Sequence, residues 1–452
     1  MKIVIVGNGK LGDSLVSFIS GEDHDVTVID KNSKLIDSIA NQYDAVGIVG
    51  NGASCETLIA AGADKCDLLI ASTESDEVNL MCCIMAKKVG ARHAIARVRN
   101  PEYSQQAAFM CGELKISMIV NPDLEAAYEM ERILQFPAAM KVDSFSRGKV
   151  ALCHMKVTLG HPMTGVRLAD MSKKFKSTVL VCTVERNDEV IIPNGDFVVR
   201  EGDVIYVSAP YDQLSAFFKE CGVVKKRIRS VMIIGGGKIS FYLANRLLKS
   251  GFDVKIIEIN EERCEILSEM LPKATIINAD GTDSAVLIDE GIDEVDACIT
   301  LTNIDEENIL VSMFAESQGI GKIITKVTRS SFMKLLENLD IQQSIVSPKF
   351  VAANRVLKYL RGIRNSKGSC VETLYKIVDN RAEAIEFIAR DNIDFYGIPL
   401  KELSLKKNLL VAAIIRGNNI IYPDGESFIK QGDRVIVVTT IEGLRDLKDI
   451  EA

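Results

Sequence analysis

Apolar residues along this chain come in short continuous blocks separated by turn signals. Ile3-Val4-Ile5-Val6 is the first such block, and it stops at a glycine. An apolar run of that length bounded by a turn predicts a buried strand. A second strand, Asp25-Val26-Thr27-Val28-Ile29-Asp30, ends in an acid, and a third ends in Gly50-Asn51-Gly52. The fourth, Leu68 to Glu74, enters a helix through Asp76, and the fifth covers Ala94 to Val98. A sixth, Ile119-Val120-Asn121-Pro122, runs into a helix, since proline in the first helical turn forfeits no hydrogen bond. Strand and helix alternating this regularly predict a parallel sheet with helices on both faces.

The pattern then occurs a second time. Gly7 and Asp30 lie 228 residues before Gly235 and Glu258, and Thr73 lies 229 before Thr302. The second copy runs through Met232 to Ile234, Asp253 to Glu258, Ala279-Asp280-Gly281, Ala297 to Asn303 with Asp305, Ile323 to Val327 and Ile345-Val346-Ser347-Pro348. Asn79 matches Asn308. A period this long is a domain duplication and not a solenoid repeat.

Beyond each sixth strand and its helix the sequence becomes strand-rich, from about Val150 to Cys221 and from Leu374 to Leu447. Both stretches carry one turn pair, Pro193-Asn194-Gly195 before Glu201-Gly202-Asp203 and Pro423-Asp424-Gly425 before Gln431-Gly432-Asp433. The expected architecture is α/β: two Rossmann-like parallel-sheet domains, 1–140 and 223–365, each followed by a small α+β domain, 141–222 and 366–452. A basic linker is expected near Val223 to Arg229.

At 452 residues the chain has the length of three or four ordinary domains. Apolar residues at 47% and charged residues at 26% are globular proportions. The longest apolar runs, such as Leu409 to Ile415, fall short of the roughly 18 residues that a membrane span needs. With Met1-Lys2 leading directly into a strand and no apolar leader, a cytoplasmic location is expected. The 11 cysteines include no CxxC pair and suit reduced core thiols, and Cys82-Cys83 does not suggest a metal site. A net charge of -8 argues against broad attraction to nucleic acid or anionic lipid.

Gly7, Gly9 and Gly12 fit GxGxxG, with one glycine for the tight turn, one for approach of a pyrophosphate and one for close helix packing. The helix start supplies free amides to phosphates, so Lys10 need not touch them. Asp30, closing the second strand, would accept from ribose hydroxyls and favour NAD or ATP over NADP, unless it is a plain surface acid. The second turn keeps Gly235, Gly237 and Glu258 but has Ser240 for the third glycine. It either binds nucleotide or is a degenerate copy kept for structure. There is no GxxxxGK[ST] motif, so a P-loop ATPase is not supported.

Read alone, the motif also suits a nicotinamide-dependent oxidoreductase, which would need a general acid or base in a substrate domain. His154 and His161 are the candidates, and neither has a counterpart in the second copy. The sequence points instead to a nucleotide that is sensed and not consumed, in a protein that is not an enzyme.

Over nearly its whole length the chain resembles the TrkA family, the peripheral cytoplasmic subunits of bacterial Trk potassium-uptake systems, built from tandem pairs of an RCK-N and an RCK-C domain. The duplication and domain order carry the resemblance more than the glycine motif does. It implies a regulator that binds NAD(H), with ATP or ADP as further ligands. It also implies a homo-oligomeric ring, expected to be a tetramer, under a TrkH-like potassium-translocating membrane subunit. A regulator of a different ion transporter is the alternative.

By the same resemblance the first site would use Gly7, Asn8, Gly9, Lys10, Leu11 and Gly12 at the phosphates and Asp30 at the ribose. Asn51 and Gly52 would line the cleft, with Thr73 and Glu74 near the far phosphates and Arg97 as charge partner or solvated strand end. The second site would use Gly235, Gly236, Gly237, Lys238, Ile239, Glu258, Asp280, Thr302, Asn303 and Lys326. Asn303 and Lys326 replace Glu74 and Arg97, and lysine cannot make a planar two-pronged contact, so the two sites are not expected to select ligand identically. The helices after Pro122 and Pro348 would do the gating, with Leu124, Ile133 and Leu134, or Phe350, Val356, Leu357 and Leu360, forming either a packing face for a partner or part of the subunit's own core.

Overall fold

The computed structural model describes residues 1–20, 24–135, 141–145, 150–222, 228–337, 344–366, 371–378, 381–390, 393–417, 419–441, 443–444 and 446–452. Most of the predicted basic linker, 223–227, lies outside them. The chain divides into two compact units, residues 1–131 with 229–357 and residues 132–228 with 358–452.

The first unit holds both parallel sheets. Its first half runs β1 (Lys2–Val6), α1 (Lys10–Ile19), β2 (Asp25–Asp30), α2 (Ser33–Gln42), β3 (Val46–Val49), α3 (Cys55–Ala60) and β4 (Leu68–Ala71). Then come α4 (Asp76–Val89), β5 (His93–Arg97), α5 (Pro101–Gln105), α6 (Ala107–Glu113), β6 (Met118–Val120) and α7 (Pro122–Gln135), whose last residues, from Arg132, belong to the second unit. The strand order is β3-β2-β1-β4-β5-β6, with β1 parallel to β2 on one side and to β4 on the other. The order therefore reverses at β1, and the crevice beyond the carboxyl ends of β1 and β4 is where such sheets bind ligand. β4 is buried at every position, which its continuous apolar run required.

Between the two parallel-sheet halves lie β7 (Lys141–Phe145), β8 (Val150–Lys156), α8 (Met171–Lys174), β9 (Leu180–Arg186), β10 (Glu189–Ile191), β11 (Val204–Ala209) and α9 (Tyr211–Glu220). The second parallel half follows as β12 (Ser230–Ile234), α10 (Lys238–Lys249), β13 (Asp253–Glu258), α11 (Glu261–Met270), β14 (Thr275–Asn278) and α12 (Ser284–Asp289). It continues through β15 (Ala297–Thr300), α13 (Asp305–Ser317), β16 (Lys322–Lys326), α14 (Ser330–Glu337), β17 (Ser344–Val346) and α15 (Pro348–Ser366). Its order, β14-β13-β12-β15-β16-β17, repeats the first sheet strand for strand. Within this unit Tyr242 of α10 accepts a hydrogen bond from Asn121 Nδ2 at 3.0 Å, and Arg246 pairs with the buried Glu131 at 2.5 Å.

The second unit is antiparallel. β18 (Val371–Ile377), β19 (Ala382–Ile388), β20 (Leu409–Arg416), β21 (Asn419–Ile421) and β22 (Arg434–Thr439) match β7 to β11 in turn, and the two five-stranded sheets have the same topology. Ala382 and Ala384 of β19 join a core shared with Val150, Leu152 and Cys182 of the first small sheet, while Ile385 and Phe387 face a separate core, as a two-residue period dictates. The twin turns position one ion pair in each copy. Arg186 reaches the buried Asp203 through Nε at 2.7 Å and Nη2 at 2.8 Å, and Arg416 reaches Asp433 in the same two-pronged way at 3.0 and 2.8 Å. Those aspartates also accept from Arg200 N and Lys430 N, so they tie each turn to its sheet.

Of the two readings of α7 and α15, the structure supports packing within the subunit. Ile133, Leu134, Val356, Leu357 and Leu360 are 2, 2, 1, 6 and 0% exposed, which corrects the expectation that they offer a face to a partner. Leu124 and Phe350 are half-buried, and Phe350 lies against Phe18 with ring centroids 5.6 Å apart. Among the described residues no helix is long and apolar enough to cross a membrane.

Candidate nucleotide sites

The glycine turns sit at the carboxyl ends of β1 and β12, and their geometry explains the motif. Gly7 has φ +91°, and a Cβ there would stand 2.8 Å from Thr73 N at the end of β4. A side chain is excluded by both strain and space. Gly12 is required by proximity, since a Cβ would fall 2.0 Å from the Gly7 carbonyl. That carbonyl accepts the Ser72 hydroxyl at 2.9 Å.

The second copy meets the same need from the other side. Leu301 stands where Ser72 would be, and Ser240, fully buried in α10, donates its hydroxyl to the Gly235 carbonyl. The departure from GxGxxG is thus a compensated exchange: the hydroxyl has moved from strand end to helix, and α10 must stand far enough off to hold it.

The acids predicted at the ribose close back on the turns. Asp30 Oδ2 accepts from Asn8 N at 2.7 Å and its Oδ1 from Asn32 N at 2.8 Å. Glu258 Oε2 accepts from Gly236 N at 2.5 Å and its Oε1 from Asn260 N at 2.9 Å. Each carboxylate oxygen keeps a lone pair for a ligand hydroxyl. Gly9 and Lys10 are exposed beside the turn, Leu11 is buried under it, and Gly237, Lys238 and Ile239 repeat that order. The first amides of these helices have no acceptor within the helix, which leaves them open to an anion. Asn51 and Asp280 are exposed at the ends of the third strands, and Gly52 is packed so tightly on Val6 that a Cβ would lie 2.1 Å from Val6 Cγ1.

The far side of each crevice is organised by a residue seen in the sequence only as a repeat landmark. Asn79, fully buried in α4, accepts from Thr73 N at 2.8 Å and Thr73 Oγ1 at 2.7 Å, and donates to the carbonyls of Thr73 at 3.0 Å and Arg97 at 2.9 Å. Asn308 does the same for Thr302 N, Thr302 O and Lys326 O. The ends of β4 and β5, and of β15 and β16, are thereby fixed together.

Arg97 is half-buried and donates to Thr73 O at 2.7 Å, so it is not a freely solvated strand end. Burial, and next the nearby Arg99, lower its pKa. Lys326 is buried, and desolvation pulls its pKa down while Asp123 and Asp305 act to raise it. Glu74 and Asn303 are exposed. Arg99 clamps the buried Asp123 through Nε at 2.7 Å and Nη2 at 3.1 Å, while Asp76 accepts from Arg99 N and Asn100 N.

The rejected catalytic histidines lie in the small domain. His161 is buried, its Nδ1 accepts from Met163 N at 3.1 Å, and burial lowers its pKa. His154 leans on Tyr206 with centroids 5.0 Å apart. The described cysteines are free, and burial pushes the Cys82 thiol up to about 11. Among the described residues no group of His, Cys, Asp and Glu is placed to hold a metal ion.

Comparison with known proteins supplies the family. The TrkA-N domain model matches residues 3–122 and 231–348, and the TrkA-C domain model matches 155–222 and 385–451. The chain is 34% identical over 451 residues to the Trk system potassium uptake protein TrkA homolog of Archaeoglobus fulgidus, covering the whole of both proteins. The chain belongs to the TrkA family.

The TrkA of Vibrio alginolyticus is 29% identical, over 100% of this chain and 98% of its own. Among solved structures, the GsuK RCK domain superposes at TM-score 0.62 and 17% identity, over 98% of this chain and 92% of that one. The GsuK channel bound to NAD superposes at TM-score 0.62 and 18% identity, over 98% and 77%. The RCK fold is therefore common to them. The relatives are named as potassium-uptake proteins, in keeping with a regulator and not an enzyme.

Sequence reasoning missed three residues that build the TrkA-type crevice here. Ser72 gave no signal, because the hydroxyl that replaces it in the second copy stands elsewhere in the motif. Asn79 gave the clearest one, since its match to Asn308 survives the duplication. The third, Arg263, donates through Nε to the Gly236 carbonyl at 2.6 Å, and Leu35 holds its place in the first copy.

Proposed function

We propose that this TrkA-family chain is the cytoplasmic regulatory subunit of a Trk-type potassium-uptake system, binding NAD(H), ATP or ADP and gating potassium flux through a TrkH-like membrane partner. It lies on the inner face of the membrane through that partner and assembles as a homo-oligomeric ring, a tetramer. The observation that carries this reading is the paired glycine turn, each at the switch point of a sheet ordered 3-2-1-4-5-6. Gly7 to Gly12 take the phosphates and Asp30 the ribose, with Asn51, Gly52, Thr73, Glu74 and Arg97 completing the first site. Gly235 to Ile239, Glu258, Asp280, Thr302, Asn303 and Lys326 form the second. The domain limits are 1–140, 141–222, 223–365 and 366–452.

A ligand shifts a conformational equilibrium only by its differential affinity for the two states. Different nucleotides therefore stabilise different separations of the two nucleotide folds, and the ring passes the difference to the membrane subunit. Calorimetric titration of purified protein with NADH, ADP and ATP tests the binding step. Asp30→Ala should weaken nucleotide by roughly 1 to 3 kcal/mol through a lost charged hydrogen bond. Unchanged NADH and ADP affinities in that variant would remove the first-site assignment.

A further inference from the structure

The two glycine turns differ in how much of their bonding the chain itself completes. In the second, all three carbonyls have side-chain donors: Ser240 serves Gly235 O, Arg263 Nε serves Gly236 O at 2.6 Å, and Arg263 Nη2 reaches Gly237 O at 3.4 Å. Asn260 sets Arg263 in place by accepting from its backbone N–H at 2.8 Å at the start of α11. A side chain at Gly236 would have to displace its neighbours, since a Cβ would lie 2.7 Å from Leu267 Cδ1 and 3.0 Å from Glu258.

The first turn is built the other way. Asn8 occupies the position of Gly236 and Leu35 that of Arg263. Leu35 offers no donor, and among the described residues no side chain donates to the carbonyls of Asn8 or Gly9. Asn8 is only 5% exposed, and its buried Oδ1 has no hydrogen-bond partner. A buried acceptor left in that state carries a desolvation cost that a donor would relieve.

We infer that Arg263 is a positioning residue that holds the second glycine turn in its bound shape without nucleotide, so that the first turn is the one that tightens on ligand. The exchange of Asn8 and Leu35 for Gly236 and Arg263 thus divides the work: the first copy responds and the second is set in advance. This rests on the reading of both turns as nucleotide sites.

Amide hydrogen exchange on the full chain, read by mass spectrometry with and without ADP, tests it. Without nucleotide, Arg263→Leu should speed exchange over residues 235–241 about tenfold and leave 7–13 unchanged, because only the second turn loses its donors. Arg263→Lys, whose ammonium cannot span two carbonyls as a guanidinium does, should show a smaller effect in the same place and covers the case in which the leucine variant fails to fold. With ADP, the native chain should be protected about tenfold over 7–13 and less than about threefold over 235–241. Unchanged exchange in both variants, or equal protection of the two turns, overturns the inference. Absence of any ADP or NADH binding defeats the functional reading instead, while the nucleotide-free comparison still decides the role of Arg263.

Discussion

Replacing Asn79 should damage the first crevice in a way the structure allows to be ranked. Its side chain makes four hydrogen bonds of 2.7 to 3.0 Å, three to Thr73 and one to Arg97 O, and it is fully buried. At about 0.5 to 1.5 kcal/mol net for each bond, Asn79→Ala would cost about 2 to 6 kcal/mol if every partner stayed unpaired. Thr73 and Arg97 are half-buried, so water recovers some of the loss, and about 2 to 4 kcal/mol is expected.

Asn79→Asp is nearly the same shape but worse. It keeps the acceptor facing Thr73 N while turning an oxygen toward two carbonyls that Nδ2 now serves at 3.0 and 2.9 Å. Asn308→Ala, with three bonds to lose, should cost less than Asn79→Ala. Urea unfolding of the full chain and each variant, with a parallel ADP titration, gives the ranking. An aspartate variant as stable as the alanine variant, or an alanine variant within about 0.5 kcal/mol of native, would refute the account of this residue.

Three further outcomes follow from the geometry. Ser240→Ala and Ser72→Ala should each destabilise by about 1 kcal/mol through loss of a buried hydroxyl bond, whereas Gly12→Ser, with its Cβ 2.0 Å from a carbonyl, should cost more; equal melting temperatures would contradict the compensated exchange. Asp433→Asn removes the charge that Arg416 grips with two bonds, and circular dichroism melts should show a loss of about 1 to 3 kcal/mol, matched by Asp203→Asn in the other copy. Burial pushes Lys322 from 10.5 down to about 8, so between those values the unfolded chain binds more protons and stability rises with pH; below about 8 both states are protonated and the gain is absent. Measured against Lys322→Met, native protein should gain up to about 1.4 kcal/mol per pH unit across that window, and a constant difference would contradict it.

The fold was legible because the buried strands read as continuous apolar runs and because the duplication supplied an internal second reading of each element. β4 and β15 are buried at every position, and the proline steps at Pro122 and Pro348 do begin helices. The glycine turns were legible for a similar reason, since positive φ at Gly7 and Gly235 admits few residues. What the sequence hid was tertiary. Ser240 reads in the sequence as a departure from GxGxxG, and only the fold gives its hydroxyl the role of Ser72; Arg263 belongs to no motif, and only the fold brings it to the second turn. The apolar residues of α7 and α15 could be assigned to a core or to a partner only once burial was known, because a helical stripe does not say what covers it.

Potassium flux is the most direct test of the regulatory reading. The purified chain would be added to liposomes holding its Trk-type membrane partner, and flux followed as NADH, ADP and ATP are exchanged. Flux should change with the nucleotide, and Asp30→Ala should blunt that change without preventing association with the liposomes. A flux that is the same with every nucleotide and with none, while the chain remains bound to the partner, would contradict the account.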